Sequence, residues 1–229
     1  MSDALTANLL IERLSAPDRA AVRDLTTRVR FELGETLTEP GDPILHLHFV
    51  LDGIISAVGE MVDGRSIETF MVGFEGVSGI AAAVVPASTF SRHVVQAAGS
   101  ALRVDADRFR ALAADRPDLR AVIAAYGSGL FGELEQSSAC NALHRAEQRL
   151  AKWLLRCHDR VGGGDIRLTQ EYLAALLGAQ RTTVNEAAQG LQKSGAITYS
   201  RGRVTVMDRA ALERAACECY HGVGRAHVA

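Results

Sequence analysis

The stretch LTQEYLAALLGAQRTTVNEAAQGLQKSG, residues 168–195, limits most sharply what this chain can fold into. Leu173, Leu176 and Leu177 make one apolar face behind Thr169, whose hydroxyl suits the N-cap of a helix over Gln170–Leu177. Gly178 permits the positive φ of a tight turn, and Val184, Ala187, Ala188 and Leu191 restart the helical spacing at once. Lys193 falls at the negative end of this second helix and Gly195 just past it. Two short helices on so tight a turn describe a helix-turn-helix.

The other face of the second helix displays Gln180, Arg181, Thr182, Asn185, Glu186 and Gln189. These side chains suit base edges: Arg pairs with guanine, Asn or Gln with adenine, and Thr touches a phosphate or a thymine methyl. A purely structural helical hairpin would alternate Glu and Lys there, whereas amides and hydroxyls gather near this helix's start, where base readers sit. Downstream, AITYSRGRVTVMD alternates as two strands around Arg201-Gly202-Arg203, a wing whose two arginines can reach phosphates. Charge follows the same division. Residues 1–140 carry 12 arginines and no lysine against 19 carboxylates, a balance of −7, while residues 141–229 carry 13 basic residues against 8, a balance of +5. Only the second part is built to meet a polyanion.

Upstream, a helix is expected around Asn8–Thr27, interrupted at Pro17. From Phe31 to Val104 short β-like runs alternate with turn signals, among them a hairpin at Asp63-Gly64, which points to a small antiparallel sandwich or barrel. Asp105 suits an N-cap, and Pro117 suits the start of a long helix to about Ala139. Leu119, Ile123, Tyr126 and Leu130 form a seam on that helix, assigned to dimerisation in preference to packing on the β region. Gly127, Gly129 and Gly132 each cost about 1 kcal/mol relative to Ala inside a helix, so a close backbone approach is expected to compensate them. A further helix follows, with Leu143, Leu150, Trp153, Leu154 and Leu155 as its apolar face and Gly162-Gly163-Gly164 as its end. The boundary is placed near Cys140–Asn141, where the charge balance changes sign.

No apolar run approaches the ~20 residues that span a bilayer, and the N-terminus lacks the pattern of a secretory signal. Four scattered cysteines fit a reducing cytoplasm better than a disulfide framework. CECYH places Cys217 and Cys219 near His221, but three ligands without a second cluster read as ordinary small apolar cysteines, so no metal site is assigned. No P-loop, nucleophile elbow, zincin or dinucleotide fingerprint occurs, and Glu133 and Glu135 point to different helix faces, so no catalytic residue is assigned.

Taken together, these stretches resemble the Crp–Fnr family of bacterial transcription regulators, over nearly the whole chain. The resemblance implies an α+β fold: an antiparallel β-roll of the cyclic-nucleotide-binding, jelly-roll type over residues 1–116, a dimerisation helix over 117–140 and a winged helix-turn-helix over 141–229. It implies double-stranded DNA and a second copy of the chain as partners, a small-molecule effector, contact with RNA polymerase, and no membrane. Arg181 stands at the family's guanine-reading arginine, and Thr182 where cyclic-AMP-responsive members carry a glutamate that reads cytosine. Asn185 and Glu186 fall at further specificity positions, and Thr169 and Thr183 at phosphate contacts.

The effector pocket maps to Gly79, Ile80, Ala81, Arg92 and His93. Cyclic-AMP binders hold the ribose with a Gly-Glu pair and the cyclic phosphate with an Arg-Ser pair. Here Ile80 replaces the Glu and His93 the Ser, so weak or no cyclic-AMP binding is expected, with Arg92 left for another anion or for a structural ion pair. No cysteine precedes Cys140, which disfavours an iron–sulfur cluster, while His46, His48 and His93 leave a haem-based gas sensor as an alternative. The other alternative is a ligand-responsive module whose helical end binds protein.

Overall fold

The computed structural model describes residues 8–222 apart from Gly164, Thr169 and Arg201, and they divide into two compact units. The first holds residues 8–57 with Met71–Phe131, the second Val58–Phe70 with residues 132–222. In the first, the Asn8 side chain caps α1 (Leu9–Glu12) and donates to the carbonyls of Val50 and Gly76 at 2.8 Å each, so a fully buried amide is satisfied on both sides. A second helix, α2 (Ala16–Leu25), starts from a Ser15 cap with Pro17 in its first turn. The single helix expected over Asn8–Thr27 is therefore two, because Pro17 begins a helix, where its missing N–H costs nothing, instead of interrupting one.

Strands β1 (Thr27–Phe31), β2 (Thr36–Thr38), β3 (His46–Glu60), β4 (Ser66–Val72), β5 (Val77–Ser78) and β6 (Arg92–Asp105) form one antiparallel sheet in the order β1-β6-β3-β4, with β2 on β6 and β5 on β3. The expected Asp63-Gly64 hairpin joins β3 to β4; the Met61 amide donates to the Arg65 carbonyl at 2.8 Å, and the Asp63 carboxylate accepts from the Arg65 amide. Asp105 caps α3 (Ala106–Ala114), as its sequence position suggests.

Helix α4 (Pro117–Leu143) runs 27 residues, about 40 Å at the helical rise. Its seam is not a dimer surface. Leu119, Ile123, Tyr126 and Leu130 are all buried within the chain, and the first three share one apolar cluster with Leu10, Ile11, Phe49 and Phe109. The Tyr126 hydroxyl accepts from the Val77 amide at 3.3 Å. A four-three-four spacing reports a buried face without saying what covers it, and here the chain's own core does. A Cβ on Gly127 would meet nothing within 4 Å, so the chain itself requires no glycine there.

The second unit continues with α5 (Ala146–Arg160), β7 (Asp165–Arg167), α6 (Gln170–Leu177), α7 (Arg181–Lys193), β8 (Ile197–Ser200), β9 (Arg203–Val206) and α8 (Arg209–Ala215). Leu150, Trp153, Leu154 and Leu155 are its buried heart. Leu143, expected beside them, ends α4 and is 79% exposed. Glu133 is buried and paired with Arg156, whereas Glu135 is exposed.

Leu119→Ala is expected to lower the free energy of unfolding by about 2–5 kcal/mol, as for a large-to-small change in a packed core. Denaturant titration checks this; a variant with unchanged midpoint but weakened self-association would restore the seam to a dimer interface.

Candidate nucleic-acid interface

Helix α7 lies against α5 through Val184, Ala187, Ala188 and Leu191, all buried. Ala187 and Ala188 let the helices approach, and at Gly190 a Cβ would stand 2.3 Å from the Glu147 carboxylate of α5. The turn before α7 carries Gly178 at φ +56°, and its missing Cβ leaves room for Ile67 of the β3–β4 hairpin, which would otherwise stand 2.9 Å away. Arg149 Nη2 donates to the Leu177 carbonyl at 3.1 Å, closing the end of α6.

With its apolar side committed, α7 presents the rest outward. Arg181, Thr182, Thr183, Glu186, Gln189 and Lys193 are exposed and Asn185 half-buried, as their sequence spacing demands. Gln180 occupies the N-cap without spending its side chain on a capping bond, so its amide remains outside the helix's own hydrogen bonding. The helix opens with no acidic residue in its first turn, so its positive end faces solvent beside Arg181.

Strands β8 and β9 form the expected wing, with β7 completing a sheet in the order β7-β9-β8. The Gln192 side chain accepts from the Tyr199 amide at 3.0 Å, fixing wing to helix. Arg203 does not project freely from the tip. It stands opposite Ser200 and Arg167, and its guanidinium is held at 2.7 Å by Asp165. The hydroxyl of Thr205 and the guanidinium of Arg203 keep the Asp165 carboxyl below the usual carboxylate range. Arg167 and Asp165, absent from the candidate set, join it through this pairing; cross-strand register, invisible in sequence, is what assembles them. Thr169 and Arg201 lie outside the described residues.

The effector candidates lie in the first unit. Gly79 has φ +87°, and a Cβ there would press within 2.8 Å of the His46 carbonyl, so its glycine has a structural cause. Ile80 is half-buried and Ala81 exposed in the 3-10 turn that follows. Arg92 starts β6 half-buried, and His93 turns inward, its Nδ1 3.0 Å from the Ser78 hydroxyl and its Nε2 3.5 Å from that of Thr89. Burial holds the His93 imidazole down at about 4. Burial first, then His46, Arg103 and His93, do the same to His48.

Comparison with known proteins agrees with the helix-turn-helix and with the fold. Residues 148–215 match the Crp-like helix-turn-helix domain. A "CRP-like cAMP-activated global transcriptional regulator" of Mycobacterium tuberculosis is 28% identical over 204 residues, covering 86% of this chain and 91% of that protein. Among solved structures, FixK2 from Bradyrhizobium japonicum superimposes with a TM-score of 0.71 at 18% identity, covering 84% of this chain and 98% of that one. The c-di-GMP-responsive regulator CLP of Xanthomonas campestris gives 0.66 at 18%, covering 82% and 99%.

The two buried histidines set a pH dependence. Below the usual value of 6.5 the unfolded chain takes up protons that the folded His48 and His93 refuse until about 4, so stability is full above 6.5 and falls through that window. Urea midpoints measured across it should decline, and His93→Gln should flatten the decline; an equal slope in that variant would mean His93 is not refusing the proton.

Proposed function

We propose that this chain, whose residues 148–215 match the Crp-like helix-turn-helix domain, is a transcription regulator that binds a roughly palindromic operator as a homodimer, α7 entering the major groove. The observation that carries this reading is the solvent-facing row of amide, hydroxyl and guanidinium groups on α7, beside a sheet that bears Arg167 on β7 and Arg203 on the wing strand β9. Phosphate contacts fall to the wing and Thr183, and base contacts to Arg181, Thr182, Asn185 and Glu186. Two such helices read half-sites about 34 Å apart. The protein works in the cytoplasm, where DNA and RNA polymerase are.

Because the seam of α4 is used up inside the chain, dimerisation falls to the opposite side of the helix. There Ala121, Ala124, Ala125 and Ser128 are exposed, with Phe131 at 63%. Small side chains let two helices close in, and Gly127 at half-burial leaves that approach open. An effector in the β-roll biases this packing by binding one arrangement better than the other. Ile80 and His93 make that effector something other than cyclic AMP, since neither offers the sugar a carboxylate or the phosphate a hydroxyl.

Selection of bound duplexes from random DNA should return a two-fold motif whose recovery does not depend on cyclic AMP. Arg181→Ala is expected to cost about 1–3 kcal/mol and relax one base position per half-site. Arg203→Ala should instead lower the salt slope by about one unit on every sequence. Uniform weakening by Arg181→Ala would make it a phosphate contact, and salt-independent or absent binding to duplex DNA would favour a protein partner. Ala124→Glu should shift the protein to monomer in sedimentation, with unchanged helical signal; a dimer of undiminished affinity would move the interface elsewhere.

A further inference from the structure

The chain's four cysteines are all free, and three of them meet. Cys140, in the last turn of α4, lies against Cys217 and Cys219, which follow α8, and all three are buried. His144, four residues after Cys140, completes the group. The three Sγ atoms and one imidazole nitrogen all lie within 4.8 Å of one another. The Sγ atoms of Cys140 and Cys217 are 3.6 Å apart, and Cys219 Sγ is 3.6 Å from His144 Nδ1.

Those separations have a specific meaning. Around a single tetrahedral Zn²⁺, bond lengths of about 2.3 Å to sulfur and about 2.0–2.1 Å to nitrogen put ligand atoms about 3.8 Å (S to S) and about 3.5 Å (S to N) apart. A disulfide would need about 2.05 Å, and a multinuclear cluster would spread its sulfurs further. The surroundings also match what coordinated thiolates and imidazole need. Lys152 Nζ lies 3.2 Å from Cys140 Sγ, and Gln136 Nε2 donates to Cys219 Sγ at 3.0 Å. His144 Nε2 lies 3.1 Å from the Glu218 carboxylate, which turns Nδ1 toward the sulfurs, the orientation that carboxylates impose on metal-bound histidines.

We propose that Cys140, His144, Cys217 and Cys219 form a mononuclear Zn²⁺ site that fastens the segment after α8 to the end of α4. Three thiolates and an imidazole are a soft set that passes over Mg²⁺ and Ca²⁺. Three thiolates on a divalent ion leave one negative charge, which the Lys152 ammonium offsets. His221, beside the CECY run in sequence, is not part of the group: its ring packs edge-on against Tyr220 at 4.9 Å. The set escapes a reading of the sequence because its halves, a Cys-x-x-x-His and a Cys-x-Cys, are separated by more than seventy residues.

The test uses the full chain, purified reduced, stripped with a chelator and titrated with Zn²⁺ against a chromophoric competitor, then with Co²⁺ as a spectroscopic substitute. One equivalent per chain is expected, and Co²⁺ should show tetrahedral d–d bands with thiolate charge-transfer absorption. Cys219→Ser and His144→Ala should each abolish stoichiometric binding, Glu218→Gln should weaken it about 10–100-fold, and His221→Ala should leave it unchanged. Circular dichroism of each stripped variant separates a lost ligand from a lost fold. Should Cys219→Ser unfold, His144→Ala, at the edge of the cluster, decides alone. Well under one equivalent in the reduced wild type overturns the proposal. So does undiminished binding in the ligand variants, or a Cys140–Cys217 disulfide that forms with the zinc retained.

Discussion

Val184, Ala187, Ala188 and Leu191 can lie against α5 because the residues between them ask for nothing from the interior. That contact sets the rotation of α7 about its own axis. A helix turned by one residue would carry Arg181 and Asn185 some 100° away and bring leucine to the surface, so hydrophobic burial on one side specifies which polar groups stand on the other. Gly178 holds the entry to the helix and Gln192 its exit to the wing, and the second unit's remaining architecture serves to keep that orientation.

The first unit has a different logic. Among its candidates, His93 faces inward between two hydroxyls, and the backbone of β3 leaves no room for a side chain at Gly79. An imidazole held neutral by burial brings no positive charge to an anion near it, which leaves the guanidinium of Arg92 as the cation among the candidate residues there. Chemistry of this kind differs from that of a pocket furnished with a glutamate and a serine.

What the sequence reveals and what it hides divide along a physical line. The helix-turn-helix is legible because everything it needs is local: a period of 3.6, a glycine at the turn, polar residues bunched at a helix start. The hairpin at Asp63-Gly64 and the Asp105 cap are legible for the same reason. Periodicity along α4 correctly marks Leu119, Ile123, Tyr126 and Leu130 as buried, yet a stripe carries no label for its partner, and the dimer assignment fails there. Pairings across strands or between distant segments leave no local trace, so Asp165 on Arg203 and Cys140 beside Cys217 emerge only in three dimensions.

The chain has two lysines, and the structure gives them unlike settings: Lys193 exposed at the end of α7, Lys152 against the Cys140 sulfur. Acylating reagents and acetyl-transfer enzymes, which seek primary amines and ignore guanidinium groups, would therefore find side-chain targets only at these two places. At Lys193 an acyl group would cancel the cation that complements the negative end of α7. An acyl group mapped by mass spectrometry to Lys193 would then report directly on the accessibility of that helix.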